Sequence, residues 1–249
     1  MRKFMKEYHA QPDSLAGKTI LITGAGAGIG KTLALQCAEF GASVILLGKT
    51  VKKLELVYDQ IEALGKQQAA ILPLDLKGAT EQHYIDLTDT IKREYGKLDG
   101  LVHNASQLGV LVPFAQIEKS IWDEVIQTNV TAQFLLTKAL LPVLTLAEHA
   151  TTIFTTSAVG NQGRAYWGAY SVSKFATEGM MQVLADEYEN STLRFNAINP
   201  GATRTAMRAA AYPAEDSTRL KTAEDIMPSY LYLLSDDSIE VTGQRINAQ

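Results

Sequence analysis

One cysteine in 249 residues leaves no internal disulfide to staple a small secreted fold, so a reducing compartment is expected and the core must hold the chain together. Histidine is sparse too, with four. His9, His83, His103 and His149 show no His-x-x-x-His spacing, and there is no Cys-x-x-Cys, so no metal site is expected. No apolar run approaches the ~18 residues that read as a membrane span. Residues 1–18 carry Arg2, Lys3, Lys6 and Glu7 without the continuous apolar stretch of a signal peptide. Basic charge is also short: 23 Lys and Arg against 27 Asp and Glu give a net charge of −4, a poor surface for gripping a phosphate backbone. The expectation is a soluble cytoplasmic protein with no nucleic-acid or membrane partner. No Pro-, Gly- or Ser-rich linker, repeat or low-complexity tract divides it, which predicts one domain over residues 15–249 behind a short extension at 1–14.

What the chain does have is alternation. Short, nearly all-apolar runs at residues 19–23, 43–47, 69–74, 98–103, 151–156 and 193–198, with a weaker one at 244–247, read as strands covered on both faces. Between them lie helical stretches. Val51, Leu54, Val57, Ile61 and Leu64 make one apolar stripe with Gly65 as a C-cap, and residues 117–146 and 169–188 are long and strongly apolar. The pattern predicts an α/β fold: a doubly wound parallel sheet of about seven strands with helices on both faces.

At the end of the first run stands Thr23-Gly24-Ala25-Gly26-Ala27-Gly28-Ile29-Gly30, followed by an amphipathic helix through Phe40. Gly24 and Gly28 let the backbone turn and approach a pyrophosphate, and Gly30 lets helix and strand pack closely. The helix N-terminus offers free amide hydrogens to that phosphate. A plain tight turn has the same glycines, but placement between strand and helix favours the nucleotide. After the second strand come Gly48-Lys49-Thr50, with no acid to bond a ribose 2′-hydroxyl and one cation for a 2′-phosphate. NADP(H) is therefore the expected cofactor, with NAD(H) as the alternative.

Tyr170-Ser171-Val172-Ser173-Lys174 stacks Tyr170 and Lys174 on one helical face. An ammonium beside a phenol is expected to lower the phenol pKa toward neutrality, making an acid or base for carbonyl chemistry. The pair alone is common on helix surfaces. Ser157, at the end of the fifth strand, supplies a hydroxyl for the same carbonyl oxygen, and Asn129 is an awkward residue to bury in a long apolar helix unless it has a role or sits at a kink.

Together these motifs resemble the short-chain dehydrogenase/reductase family, from about residue 15 to the end of the chain. The glycine turn matches that family's cofactor turn. Asp75 matches its adenine-side acid, and His103-Asn104-Ala105-Ser106 stands where the family usually has Asn-Asn-Ala-Gly. Asn129, Ser157, Tyr170 and Lys174 match its catalytic tetrad. Pro200-Gly201-Ala202-Thr203-Arg204-Thr205 matches the segment leading to the nicotinamide amide. The resemblance implies a single-domain Rossmann oxidoreductase with cofactor contacts at Gly24, Ala27, Gly28, Ile29, Gly30, Lys49, Asp75, Leu76, Asn104, Ala105, Tyr170, Lys174, Pro200, Gly201, Thr203 and Thr205. The runs Gly163-Arg164-Ala165-x-Trp167-Gly168-Ala169-Tyr170 and Thr203-Arg204-Thr205-Ala206-Met207-Arg208 look like the YciK-type bacterial subgroup, which supplies no substrate. The chain departs from the family pattern at His103 and Ser106, at Ala27 where a Ser or basic residue often helps bind the 2′-phosphate, and at Asn247-Ala248-Gln249 where many relatives carry Asp-Gly-Gly, with an expected loss of packing between subunits.

The expected reaction moves a hydride between the nicotinamide and a small carbonyl or alcohol substrate. Ser157 would hold the oxygen and Tyr170 would carry the proton, Lys174 would keep Tyr170 acidic and bond the nicotinamide ribose, and Asn129 would hold a water for reprotonation. The alternatives are a dinucleotide-binding scaffold or sensor without turnover, and a non-redox dehydratase or epimerase. Substrate choice is expected in the loop at 160–168 and in a lid over 207–226, with Arg204 and Arg208 either binding an anionic substrate or facing solvent, and Trp167 and Tyr166 either stacking on a flat one or packing the lid. Cys37, Met180 and Met181 read as core or interface packing, and Lys52 and Lys53 as a solvated helix start. The two long apolar helices suggest a homodimer or homotetramer, the state of many relatives.

Overall fold

The computed structural model describes residues 5–66 and 68–249; residues 1–4 of the expected extension, with Arg2 and Lys3, lie outside the described residues. Strands β1 (Thr19–Thr23), β4 (Gly100–His103) and β5 (Ala150–Thr155) are buried at every position, as a doubly covered sheet requires. They join β2 (Ser43–Gly48), β3 (Ala69–Pro73), β6 (Leu193–Asn199) and β7 (Arg245–Asn247) in one seven-stranded sheet of order β3-β2-β1-β4-β5-β6-β7. Every pairing is parallel. The order reverses between β1 and β4, the switch point where open α/β sheets bind ligands.

Alternate residues of each strand feed two cores. Ile20 and Ile22 pack on one face with Leu33 and Cys37 of α1 (Gly28–Glu39), Leu54, Val57 and Ile61 of α2 (Val51–Glu62), and Tyr230 and Leu233 near the C-terminus. Leu21, Leu101 and Phe154 pack on the other with Tyr84, Leu87, Leu136 and Leu140. Each fully buried side chain of this kind contributes about 1.5–3 kcal/mol. Met5 and Tyr8 join the first core, and the Tyr8 hydroxyl donates to Asp237 Oδ2 at 2.7 Å.

Four details differ from the sequence reading. The stretch 117–146 is not one helix: a 3₁₀ turn (Phe114–Gln116) precedes α4 (Lys119–Ile126), a π turn (Gln127–Thr131) follows, and α5 (Ala132–Leu144) completes it. The π turn takes up one extra residue, a device frequent at functional sites. A further helix, α3 (Glu81–Tyr95), not named in the sequence reading, buries a stripe of Tyr84, Leu87 and Ile91 and is capped by Thr80 with His83. Residues 168–187 form α6 (Gly168–Glu187), and α7 (Ala206–Ala211) is a single short turn of helix in the lid. After it comes α8 (Met227–Leu234), apolar on almost every side, so that it has no helical stripe to read. Finally, α2 is capped by Ala63, and Gly65, at φ +64°, closes the turn beyond it.

Candidate active site

The glycine turn is shaped by what surrounds it. Gly24 and Gly28 lie at φ +68° and +54°, a left-handed conformation that costs other residues about 1–2 kcal/mol. A Cβ on Gly30 would collide with the Gly24 carbonyl and come within 2.6 Å of Asn104 Nδ2. Thr23 ties the turn to β4: its Oγ1 accepts from the backbone N–H of Asn104 and Ala105, each at 2.9 Å, while Asn104 Nδ2 donates to the Thr23 carbonyl at 3.1 Å. Thr23 was visible only as the residue before the glycines.

A cavity of about 410 Å³ opens at the C-terminal ends of β1, β4, β5 and β6. Of the expected cofactor positions, Gly24, Ala27, Gly28, Ile29, Lys49, Asp75, Leu76, Asn104, Ala105, Tyr170, Lys174, Pro200, Gly201, Thr203 and Thr205 line it, and so does Ser157. Gly30 does not. It is buried against Gly24 and Asn104, so its part is packing rather than contact. The turn, the cavity and the α1 N-terminus fit a dinucleotide, since a Cβ at Gly24 or Gly30 would meet neighbouring atoms at the place where backbone must approach a phosphate.

Across the cavity, α6 presents Tyr170 and Lys174 one turn apart. Lys174 is 1% exposed, donates to the Thr155 carbonyl at 2.7 Å, and lies 5.5 Å from the centre of the Tyr170 ring. Burial brings its ammonium down to about 8, with Glu178 pulling the other way. The expected lowering of Tyr170 is not found: burial pushes the phenol up to about 12, because the ammonium sits over the ring and on a carbonyl rather than at the hydroxyl. Ser157 and Ser106 face the phenol and offset part of that rise, and the Ser106 hydroxyl is buried with no other polar partner. Tyr170 therefore carries its proton at neutral pH. It is poised as an acid.

Asn129 does not line the cavity. Fully buried in the π turn, it accepts from the Gln107 backbone N–H at 2.8 Å and donates to the Gln107 carbonyl at 2.9 Å and Ser173 Oγ at 3.0 Å. It thus clamps the segment after β4 to α6. His103 is buried, stacks on Phe154, contacts Thr137 Oγ1 at 2.8 Å, and is held down to about 3 by burial and by Lys174, so it braces the strand as a neutral ring. Behind the site, Glu178 accepts from Thr156 Oγ1 at 2.7 Å and Arg245 Nε at 2.8 Å, and Arg245 also donates to the Ser157 carbonyl at 3.1 Å. No local motif announces this pair, whose members stand on α6 and β7.

The outer end is aromatic. Trp167 lies 5.8 Å from the Tyr170 ring and 5.8 Å from Tyr212, and the Arg208 guanidinium lies 3.7 Å from the centre of the Tyr212 ring. Arg208 donates to the Glu215 carboxylate from Nε, at 2.6 Å, and from Nη2, and Arg164 donates to the Tyr212 hydroxyl at 2.7 Å. Arg208 is thus half-buried with its charge paired to Glu215, while Arg204 is exposed beside a second hollow. Cys37 is buried, and burial pushes its thiol up, which suits packing.

Against known proteins, the model of the short chain dehydrogenase family matches residues 18–216. The chain belongs to this family. Among its members, an uncharacterized oxidoreductase of Escherichia coli (strain K12), YciK, is 49% identical over 97% of this chain and 96% of its own. A short chain dehydrogenase from Shigella flexneri 2a strain 301, solved with NADP, superposes with a TM-score of 0.94 at 49% identity, over 96% of this chain and 100% of that one. One from Escherichia coli CFT073, solved with NADPH, gives 0.94 at 50% identity over the same shares. As a member of the family, the chain is an oxidoreductase of the dehydrogenase/reductase class, and its seven-stranded parallel sheet is that of the family's Rossmann fold.

Proposed function

We propose that the chain is an NADP(H)-dependent short-chain oxidoreductase that interconverts a small carbonyl compound and its alcohol, with Tyr170 as general acid and base. The observation that carries this reading is the strip of Ser157, Tyr170 and Lys174 on the wall of the cavity that begins at the glycine turn. NADP(H) rather than NAD(H) is favoured by Lys49, exposed on that cavity at the end of β2, where the sequence has no Asp or Glu, and by the two family members solved with NADP and NADPH.

NADPH, when bound, supplies the hydride. Ser157 donates a hydrogen bond to the substrate oxygen, and Tyr170 gives up its phenolic proton to that oxygen as charge develops there. Lys174, brought down to about 8, is a cation able to pass on a proton close to neutral pH, and it stands beside the ring that must be resupplied. Asn129 holds the segment after β4 and α6 in register for this.

The test is NADPH oxidation against a panel of ketones, aldehydes and quinones. One alcohol formed per NADPH consumed supports the reading; NADPH binding with no consumption on any of them supports a scaffold, and isomerised or dehydrated product without net consumption supports a non-redox enzyme. We further propose a cytoplasmic homo-oligomer, whose second copy covers Phe134 on α5 and Val172, Phe175 and Val183 on α6, all exposed here. Phe175→Glu is expected to shift the mass in solution toward the monomer.

A further inference from the structure

The chamber in front of Tyr170 says what the substrate is made of. Leu108, Trp167, Met207 and Ala211 give it apolar wall, beside the neutral polar side chains of Ser106 and Gln107. Among the described residues four charged side chains line the whole cavity: Lys49, Asp75, Lys174 and Arg208. Lys49 and Asp75 stand at the ends of β2 and β3, beside the glycine turn, and Lys174 is committed to the Thr155 carbonyl. Among the described residues Arg208 is the one cation of the lid on this cavity, and its charge is already paired. Its Nε and Nη2 are on Glu215, and its face is on Tyr212. An anion brought into the chamber would lose its water, meet a cation whose charge Glu215 already balances, and face the Glu215 carboxylate itself.

The aromatic wall is built rather than incidental. Tyr166, a non-glycine residue at φ +73°, turns the chain just before Trp167, a conformation that persists only when its surroundings impose it. Trp167 is then held between Tyr170 and Tyr212, with Arg164 fastening Tyr212 from the same loop.

We infer that the substrate is an uncharged, apolar carbonyl compound with a flat ring that lies on Trp167, and that the Arg208–Glu215 pair excludes carboxylated analogues. This rests on the proposed carbonyl–alcohol reaction. Excluding the charged form is a matter of leaving it without a partner, and a site built that way discriminates by about tenfold or more.

The experiment compares benzaldehyde with 4-carboxybenzaldehyde as NADPH-dependent substrates of the full chain and of Glu215→Gln. The wild type is expected to prefer benzaldehyde by about tenfold or more in kcat/KM, and Glu215→Gln, by releasing Arg208, to narrow that preference several-fold. Equal or better turnover of the carboxylated aldehyde by the wild type overturns the proposal, as does an unchanged ratio in Glu215→Gln. Should neither aldehyde be reduced, binding of benzyl alcohol and 4-carboxybenzyl alcohol is read by Trp167 fluorescence in a Trp122→Phe background with NADP+ present. Preferential binding of the neutral alcohol then upholds the chamber's selectivity and counts against the redox reading alone. Binding of neither, or of the carboxylated form preferentially, overturns the inference.

Discussion

Lys174 meets its partner, the Thr155 carbonyl, from inside the protein at 1% exposure, whereas Arg208 meets Glu215 near the surface with side chains 24% and 30% exposed. Both are cations beside an aromatic ring, Tyr170 in one case and Tyr212 in the other. They differ in what surrounds them. The buried cation is held by the Thr155 carbonyl of β5, with Glu178 of its own helix close enough to favour its charge, and its proton affinity is altered by burial. The lid cation is held within one short segment and keeps its charge more firmly than an ordinary arginine, through its bonds to Glu215. The buried strip is expensive to change and carries the proposed reaction; the lid pair costs little to change and carries the proposed selectivity.

The largest effect should come from breaking the buried side. Lys174→Met is expected to reduce turnover by about a thousandfold while making the fold more resistant to denaturant. The sign follows from linkage. The folded pKa of about 8 lies below the ordinary lysine value of 10.5, so the penalty for burying the ammonium is fully present below pH 8 and gone above 10.5. The variant's advantage in unfolding free energy should therefore shrink by about 3 kcal/mol between those limits, measured by urea titration at each pH.

His103→Asn comes next. The buried imidazole, at about 3 against an ordinary 6.5, favours the unfolded chain increasingly as pH falls below 6.5. Relative to the wild type, the variant should gain about 3 kcal/mol at pH 4, seen as a lower acid-unfolding midpoint by circular dichroism. A smaller change is expected from Ser106→Ala, which removes one of the two hydroxyls that lower the Tyr170 phenol. The rise of alcohol oxidation with pH should move upward by about half a unit to one unit, the worth of one hydrogen bond. Smallest of all, Glu215→Gln should alter thermal stability by less than about 1 kcal/mol, because the pair it breaks is a partly exposed one. A large loss of stability there would erase the distinction between the two regions.

The same contrast explains what could be read without coordinates. Thr23 to Gly30 and Tyr170 to Lys174 are local spacings, and local spacing survives in sequence because turn and helix geometry impose it. The strands were legible for a similar reason: residues such as Ile20, Leu21 and Ile22 are apolar in unbroken succession because both sheet faces are covered. Hidden features were those in which tertiary context decides. The stripe of α3, Tyr84, Leu87 and Ile91, is as regular as that of α2 and was open to reading, whereas α8 is buried all round and shows no period. The π turn at Asn129 depends on the backbone of Gln107, and the Glu178–Arg245 pair joins residues 67 apart in sequence, on α6 and β7. The direction of the Tyr170 shift also escaped, because helical spacing gives the distance between two groups but not the depth at which they are buried.

The most direct test of the account is Tyr170→Phe, measured for NADPH binding and for NADPH oxidation on the best carbonyl substrate of the panel. The account predicts an unchanged dissociation constant for NADPH and a fall in turnover of about a thousandfold or more. Turnover within a few-fold of the wild type would contradict it.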